Sequence, residues 1–271
     1  FSYTGNFLND IVVDPEGGYA YLSDVGESST NYAGGIVFFD RNQNVSRRLQ
    51  HPSMLIEPNR PDGGYDLVVN GTVYDFEVPS DGIALSTDRE KVFYCPLSGL
   101  RLFQVEAATL RSCDQDVCKL ADDEVRDMGP KVSESGGIAW GHRSLYIPAL
   151  GENAIYRWDH QADMEEQGVT DLWNVNMTKQ ELTIRDDEIM IWSDTLAMDG
   201  EGWLWTTANH LPMFFNRELD FSEGMGPYFR IVKVFVDDES YLVPEANASV
   251  AVHSQFLVMI LSIAFSVSSL F

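Results

Sequence analysis

The chain has 271 residues, 44% hydrophobic and 12% aromatic, with a formal net charge of −24. That is ample apolar material for a packed core, so disorder is excluded as the default. A chain this acidic repels phosphate backbones, which excludes nucleic acid as a partner; it attracts cations, basic proteins or cationic amines, unless the charge serves solubility alone.

In chain order, one pattern recurs: a small or polar residue, a short apolar run, a polar turn, then an apolar and aromatic strand. The first copy runs Asn9-Asp10-Ile11-Val12-Val13, turns at Asp14-Pro15-Glu16-Gly17-Gly18 and continues as Tyr19-Ala20-Tyr21-Leu22. The second pairs Asp81-Gly82-Ile83-Ala84-Leu85 with Val92-Phe93-Tyr94. The third pairs Gly136-Gly137-Ile138-Ala139-Trp140 with Leu145-Tyr146-Ile147, through a turn at Gly141-His142-Arg143. The fourth pairs Asp194-Thr195-Leu196-Ala197-Met198 with Trp203-Leu204-Trp205, through Asp199-Gly200-Glu201-Gly202.

Each pair reads as the inner hairpin of a propeller blade, and the starts are spaced by roughly 55–70 residues. A further β-branched and aromatic run follows each hairpin: Gly35 to Asp40, Leu102 to Val105, Ala154 to Asp159 and Arg230 to Phe235. The stretches 50–79 and 113–135 read as long polar loops, the kind that carry binding residues. The fold expected is therefore an all-β propeller of about four blades over residues 1–245, with a hydrophobic, helix-prone tail over 246–271.

Residues 250–271 of that tail contain no Asp, Glu, Lys or Arg. The strongest part, Phe256 to Phe271, is 16 residues, short for a spanning helix. The small residues Ala246-Asn247-Ala248-Ser249 suit a GPI attachment site; a short membrane anchor and a core-packing segment are the alternatives. Any contact with a membrane would run through this tail. The start at Phe1 reads as a cut or incomplete end.

Cys113 and Cys118 flank a short loop suited to a local disulfide, which leaves Cys95 over. Sequons at Asn44, Asn70, Asn176 and Asn247, together with few cysteines, favour the secretory route and an extracellular protein, secreted or anchored at the cell surface. Gly-x-Ser-x-Gly, phosphate-loop and dinucleotide signatures are absent from the sequence.

These stretches resemble the yellow / major royal jelly protein family. The resemblance rests on Asp10 to Asp14 with Ala20 to Asp24, Gly82 to Ser86 with Phe93 to Ser98, Gly137 to Trp140 with Asn153 to Asp159, and Trp192 to Asp199 with Leu204 to Pro212. It implies a six-bladed propeller of which this sequence lacks roughly the first two blades. Cys95 stands where family members often carry His, and Ala208 intervenes between the threonine pair and Asn209.

Residues leading each blade face the central channel. Asn9 or Asp10, Asp81, Gly136 and Asp194 hold those positions, so Asp81 and Asp194 are candidate oxygen ligands for an axial Ca²⁺; no other cofactor is expected. Gly136 and Gly137 supply no ligand there, and turn chemistry also accounts for the acids. Related lactonase propellers, which this arrangement resembles, hold a divalent metal on the axis. Family members in insect saliva resemble binders of biogenic amines. By motif position that implies Thr195 and Asn209 as polar contacts, Asp194 as partner of a ligand ammonium, and Phe214 or Phe215 as the ring wall, unless the phenylalanines pack in a core. A few members look like dopachrome-converting enzymes, for which His210 is the candidate acid or base. An extracellular matrix or cuticle-associated role is the third alternative.

Overall fold

The computed structural model describes residues 7–26, 34–69, 71–222, 226–244 and 258–261. Its first sheet contains β1 (Leu8–Asp14), β2 (Tyr19–Asp24), β3 (Gly35–Asp40) and β4 (Val45–Gln50), each antiparallel to the next. A small hairpin, β5 (Asp66–Val69) and β6 (Thr72–Asp75), follows. The second sheet is β7 (Ser80–Leu85), β8 (Lys91–Pro96) and β9 (Arg101–Glu106). After α1 (Ala107–Arg111), β10 (Val117–Lys119) returns to lie parallel to β4, and β11 (Val125–Pro130) completes the second sheet beside β9.

The third sheet is β12 (Ala139–Trp140), β13 (Ser144–Ala149), β14 (Ala154–Asp159) and, after α2 (His160–Gln167), β15 (Glu181–Arg185). The fourth holds β16 (Ser193–Met198), β17 (Trp203–Ala208), then α3 (Leu211–Phe215), β18 (Arg230–Phe235) and β19 (Val258–Leu261). These sheets are the blades of a propeller, and the innermost strand of each is the first strand of a repeat. Only Val258–Leu261 of the expected helix-prone tail is described, and these residues are extended along β18. Among the described residues, no helix is long and apolar enough to cross a membrane.

Alternation builds the blades and burial joins them. In β1 only every second residue near the turn is buried, whereas β7, β8 and β13 are buried along their whole length. A strand covered on both faces has no need of polar alternation. Tyr21, Phe38, Ile83 and Tyr94 pack the first blade on the second; Phe93, Trp140, Ile147 and Trp158 pack the second on the third. Tyr146, Ile155, Leu204 and Val234 pack the third on the fourth. The Phe93 and Trp140 rings stack at 4.7 Å between centroids.

Aspartates build the hairpin turns. Asp199 Oδ1 accepts from the backbone N–H of Glu201 at 2.8 Å and of Trp203 at 3.0 Å, and Gly202 takes the left-handed φ of +89° that ends the turn. His142 lies in the β12–β13 turn, as its sequence neighbours indicate, and its Nε2 lies 2.8 Å from the Val243 carbonyl oxygen.

Past β18 the chain runs back across this turn end of the blades. Ser240 bridges Gly141 of the third blade, and the Tyr241 hydroxyl accepts from Val13 N at 3.0 Å and donates to Val13 O at 3.1 Å in the first. The stretches 50–79 and 113–135, read from sequence as loops, carry β5, β6, β10 and β11. Cys113 and Cys118 form the expected disulfide, and Cys95 is a buried free thiol.

Candidate functional site at the strand-start end of the axis

Three inner strands begin with the same irregularity. The register shifts between Leu8 and Ile11 in β1, between Ser80 and Gly82 in β7, and between Ser193 and Leu196 in β16. Such bulges re-aim side chains. Each of these bulges contains an aspartate: Asp10, Asp81 and Asp194. The third blade contributes backbone instead. The Gly137 N–H donates to the Asp194 carbonyl at 2.8 Å, and a Cβ on Gly137 would come within 2.7 Å of Asp10 Oδ2. A Cβ on Gly82 would meet the Gly136 carbonyl oxygen at 2.4 Å. Glycine at these positions lets the strand starts close around the three carboxyl groups.

Burial sets their chemistry. Asp81 is 5% exposed, and its Oδ1 has no hydrogen-bond partner. Burial first, then the neighbouring Asp10 and Asp194, push its proton affinity well above the ordinary carboxylate range; Lys131 and a hydrogen bond with Asn9 oppose this. Asp10 is raised to about 7 by burial and by Asp194. Asp194 is raised by burial, against hydrogen bonds from Trp192 and Asn209. Like charges this close in low dielectric resist ionising together.

Asp194 is the best-connected member. Its Oδ1 accepts from Trp192 Nε1 at 3.4 Å and its Oδ2 from Asn209 Nδ2 at 3.2 Å. Asn209 is fixed in turn, because its Oδ1 accepts from Leu211 N at 2.8 Å. Asp194 and Asn209, both marked in the sequence, thus meet directly. Thr195 is exposed, and its backbone N–H donates to Thr207 Oγ1 at 3.3 Å.

Phe214 and Phe215, at the end of α3, are 59% and 54% exposed, so neither is a core residue. Phe215 packs on Phe76 at 5.1 Å and lines a cavity of about 260 Å³ with Tyr74, Phe76, Trp192 and Pro212. Trp192 therefore stands between that aromatic cavity and the carboxylates. His210 packs edge-on against Tyr228 at 5.4 Å with its Nε2 buried and unpartnered; burial, then Arg230, lowers its proton affinity.

Among the described residues, no three His, Cys, Asp or Glu side chains are placed to hold a metal ion. Asp194 accepts from Trp192 and Asn209 and Asp81 from Asn9, which leaves Asp81 Oδ1 without a partner. Asn44 is exposed in the β3–β4 turn and Asn176 is exposed after α2, while Asn70 and Asn247 lie outside the described residues.

Sequence reasoning passed over two residues. Lys131, 4% exposed, brings a positive charge towards Asp81 from a stretch with no counterpart in the other repeats. Trp192 precedes the fourth repeat by two positions, and an aromatic residue beside the repeated aspartate was the available signal.

Residues 2–240 match the family model described as major royal jelly protein. No curated protein matches the chain. Among solved structures, the chain is similar to a calcium-binding protein, regucalcin, from Agrobacterium tumefaciens, at 14% identity and a TM-score of 0.46, over 87% of this chain and 63% of that one. It is also similar to a luciferin-regenerating enzyme at 12% identity and a TM-score of 0.41, over 89% and 76%. A nidogen/laminin complex matches at 12% identity and a TM-score of 0.35, over 56% of this chain and 43% of that one. The chain thus spans less than two thirds of the regucalcin and of the nidogen/laminin chain.

Proposed function

Since the chain belongs to the major royal jelly protein family, we propose that it is an extracellular propeller, secreted or surface-anchored, that binds a small cationic aromatic amine at the strand-start mouth of its channel. The observation that carries this reading is the convergence of Asp10, Asp81 and Asp194 in a largely buried site. A buried carboxylate cluster gains most from a ligand that brings its own positive charge and excludes water. Asp194 is the ammonium partner, and Asn209 holds it in place. Trp192, Phe76 and Phe215 are the aromatic surface beside it, which suits the ring of such a ligand.

Isothermal titration of serotonin and of dopamine into the protein tests this reading. Saturable binding is expected, weakened at least tenfold in Asn209→Ala, since a hydrogen bond to a charged group contributes about 1.5–3 kcal/mol. Absence of heat for both amines overturns it. Dopachrome turnover lost in His210→Ala would then favour the enzymatic alternative, for which the buried, unpartnered Nε2 of His210 is the supporting observation.

A further inference from the structure

The axial carboxylates share their surroundings with one buried cation. Lys131 leaves the end of β11 and turns inward, where its Nζ donates to the Pro96 carbonyl and to Ser135 Oγ, both at 3.1 Å. Pro96 pairs with Ser80, the residue before Asp81. Ser135 lies 3.4 Å from the Cys95 thiol, which a Cβ on Gly82, the residue after Asp81, would meet at 3.2 Å. The ammonium is therefore held beside the end of β8 that pairs with the residues flanking Asp81. Its hydrogen-bond acceptors there are neutral oxygens, so its charge remains available to the field of the carboxylates. A buried ammonium bound only to neutral groups is costly unless opposite charge lies nearby.

We infer that Lys131 is the charge filter of the axial site: its positive charge, set beside Asp10, Asp81 and Asp194, weakens their pull on cations and so favours a ligand carrying a single positive charge over a divalent metal ion. The inference rests on the amine-binding reading for the identity of the ligand; the discrimination against metal does not depend on it. A divalent ion would have to approach the ammonium in a low-dielectric space, where like charges repel strongly. An organic ammonium brings half the charge and donors that carboxylates accept without complete dehydration.

The test uses calcium chloride alone, without amine. Thermal melting of the wild-type protein is expected to be unmoved by millimolar Ca²⁺. Lys131→Met keeps the aliphatic stem and removes the charge, and is expected to gain a Ca²⁺-dependent rise in Tm of roughly 5 °C or more at saturation. Lys131→Arg keeps the charge and is expected to stay insensitive. Lys131→Gln, which retains an amide donor for the Pro96 carbonyl, takes the place of the methionine variant if that one does not fold. Adding Asp81→Asn to either neutral variant is expected to abolish the gain. Ca²⁺ stabilisation of the wild-type protein, or no gain in the neutral variants, overturns the filter. Wild-type protein that binds neither amine nor Ca²⁺, beside a neutral variant that gains Ca²⁺, would sink the amine reading and leave the filter standing.

Discussion

At the scale of single residues, the axial aspartates work against the fold they belong to. Each has a proton affinity raised in the folded state, to about 7 for Asp10, and burial is the main cause. A group whose folded pKa lies above its unfolded value binds more protons when folded, so it favours folding at low pH. That contribution is complete below the unfolded value of about 4 and disappears as pH rises through the folded value. The melting temperature is therefore expected to fall between pH 5 and pH 8, and Asp10→Asn to flatten that fall. Melts that run parallel for the variant and the wild type across this range would show that Asp10 ionises freely.

The site was partly legible at this scale. Asp81 and Asp194 stand two positions before the first apolar residue of their repeats; in the first repeat Asn9 holds that position and Asp10 follows it, so the sequence alone left Asn9 and Asp10 open. Lys131 was invisible because no repeat pattern governs its segment. Phe214 and Phe215 could not be ranked, because the orientation of α3 decides which one meets Phe76.

At the scale of elements, the inner hairpins and the third strand of every blade were readable, since apolar alternation and Asp/Gly turns mark them. The outer strands were not. Val45-Ser46-Arg47-Arg48-Leu49-Gln50 in β4 and Glu181-Leu182-Thr183-Ile184-Arg185 in β15 mix charge into short runs: β15 is the outermost strand of its sheet, and in β4 the buried Arg48 pairs with Asp24. β10 is shorter still, only three residues, yet it pairs parallel to β4, with Cys118 opposite Leu49. Its anchorage is the disulfide to Cys113, five residues away in sequence. Closing so short a loop in the unfolded chain contributes about 2 kcal/mol. Replacing both cysteines by serine is expected to lower stability by about that amount and to speed amide exchange at Val117, Cys118 and Lys119 ahead of the rest of the blade. Unchanged exchange at those three amides would mean that strand pairing alone holds β10.

At the scale of the whole molecule, the segment after β18 ties the blades together at their turn end. The carboxylate of Asp238, 3% exposed, accepts from the backbone N–H of Ser144 and from the Tyr146 hydroxyl, both at 3.2 Å, fixing the segment to the third blade. The Tyr241 hydroxyl then reaches the first blade at Val13. Tyr241→Phe keeps the ring and strands both backbone groups of Val13, so a loss of about 1–2 kcal/mol is expected in urea denaturation. A smaller loss would mean that water takes over the hydroxyl's place.

The pin made by Tyr241 joins positions 228 residues apart, whereas most of the sheet pairings link strands that are neighbours in sequence. Each hairpin can therefore form early and locally, while the pin waits for the blades between its two ends to be in place. A contact absent from the rate-limiting step leaves the speed of folding almost untouched and acts on unfolding alone. In kinetic terms the tyrosine is a latch: it contributes nothing to how quickly the propeller assembles, and much to how long an assembled one lasts.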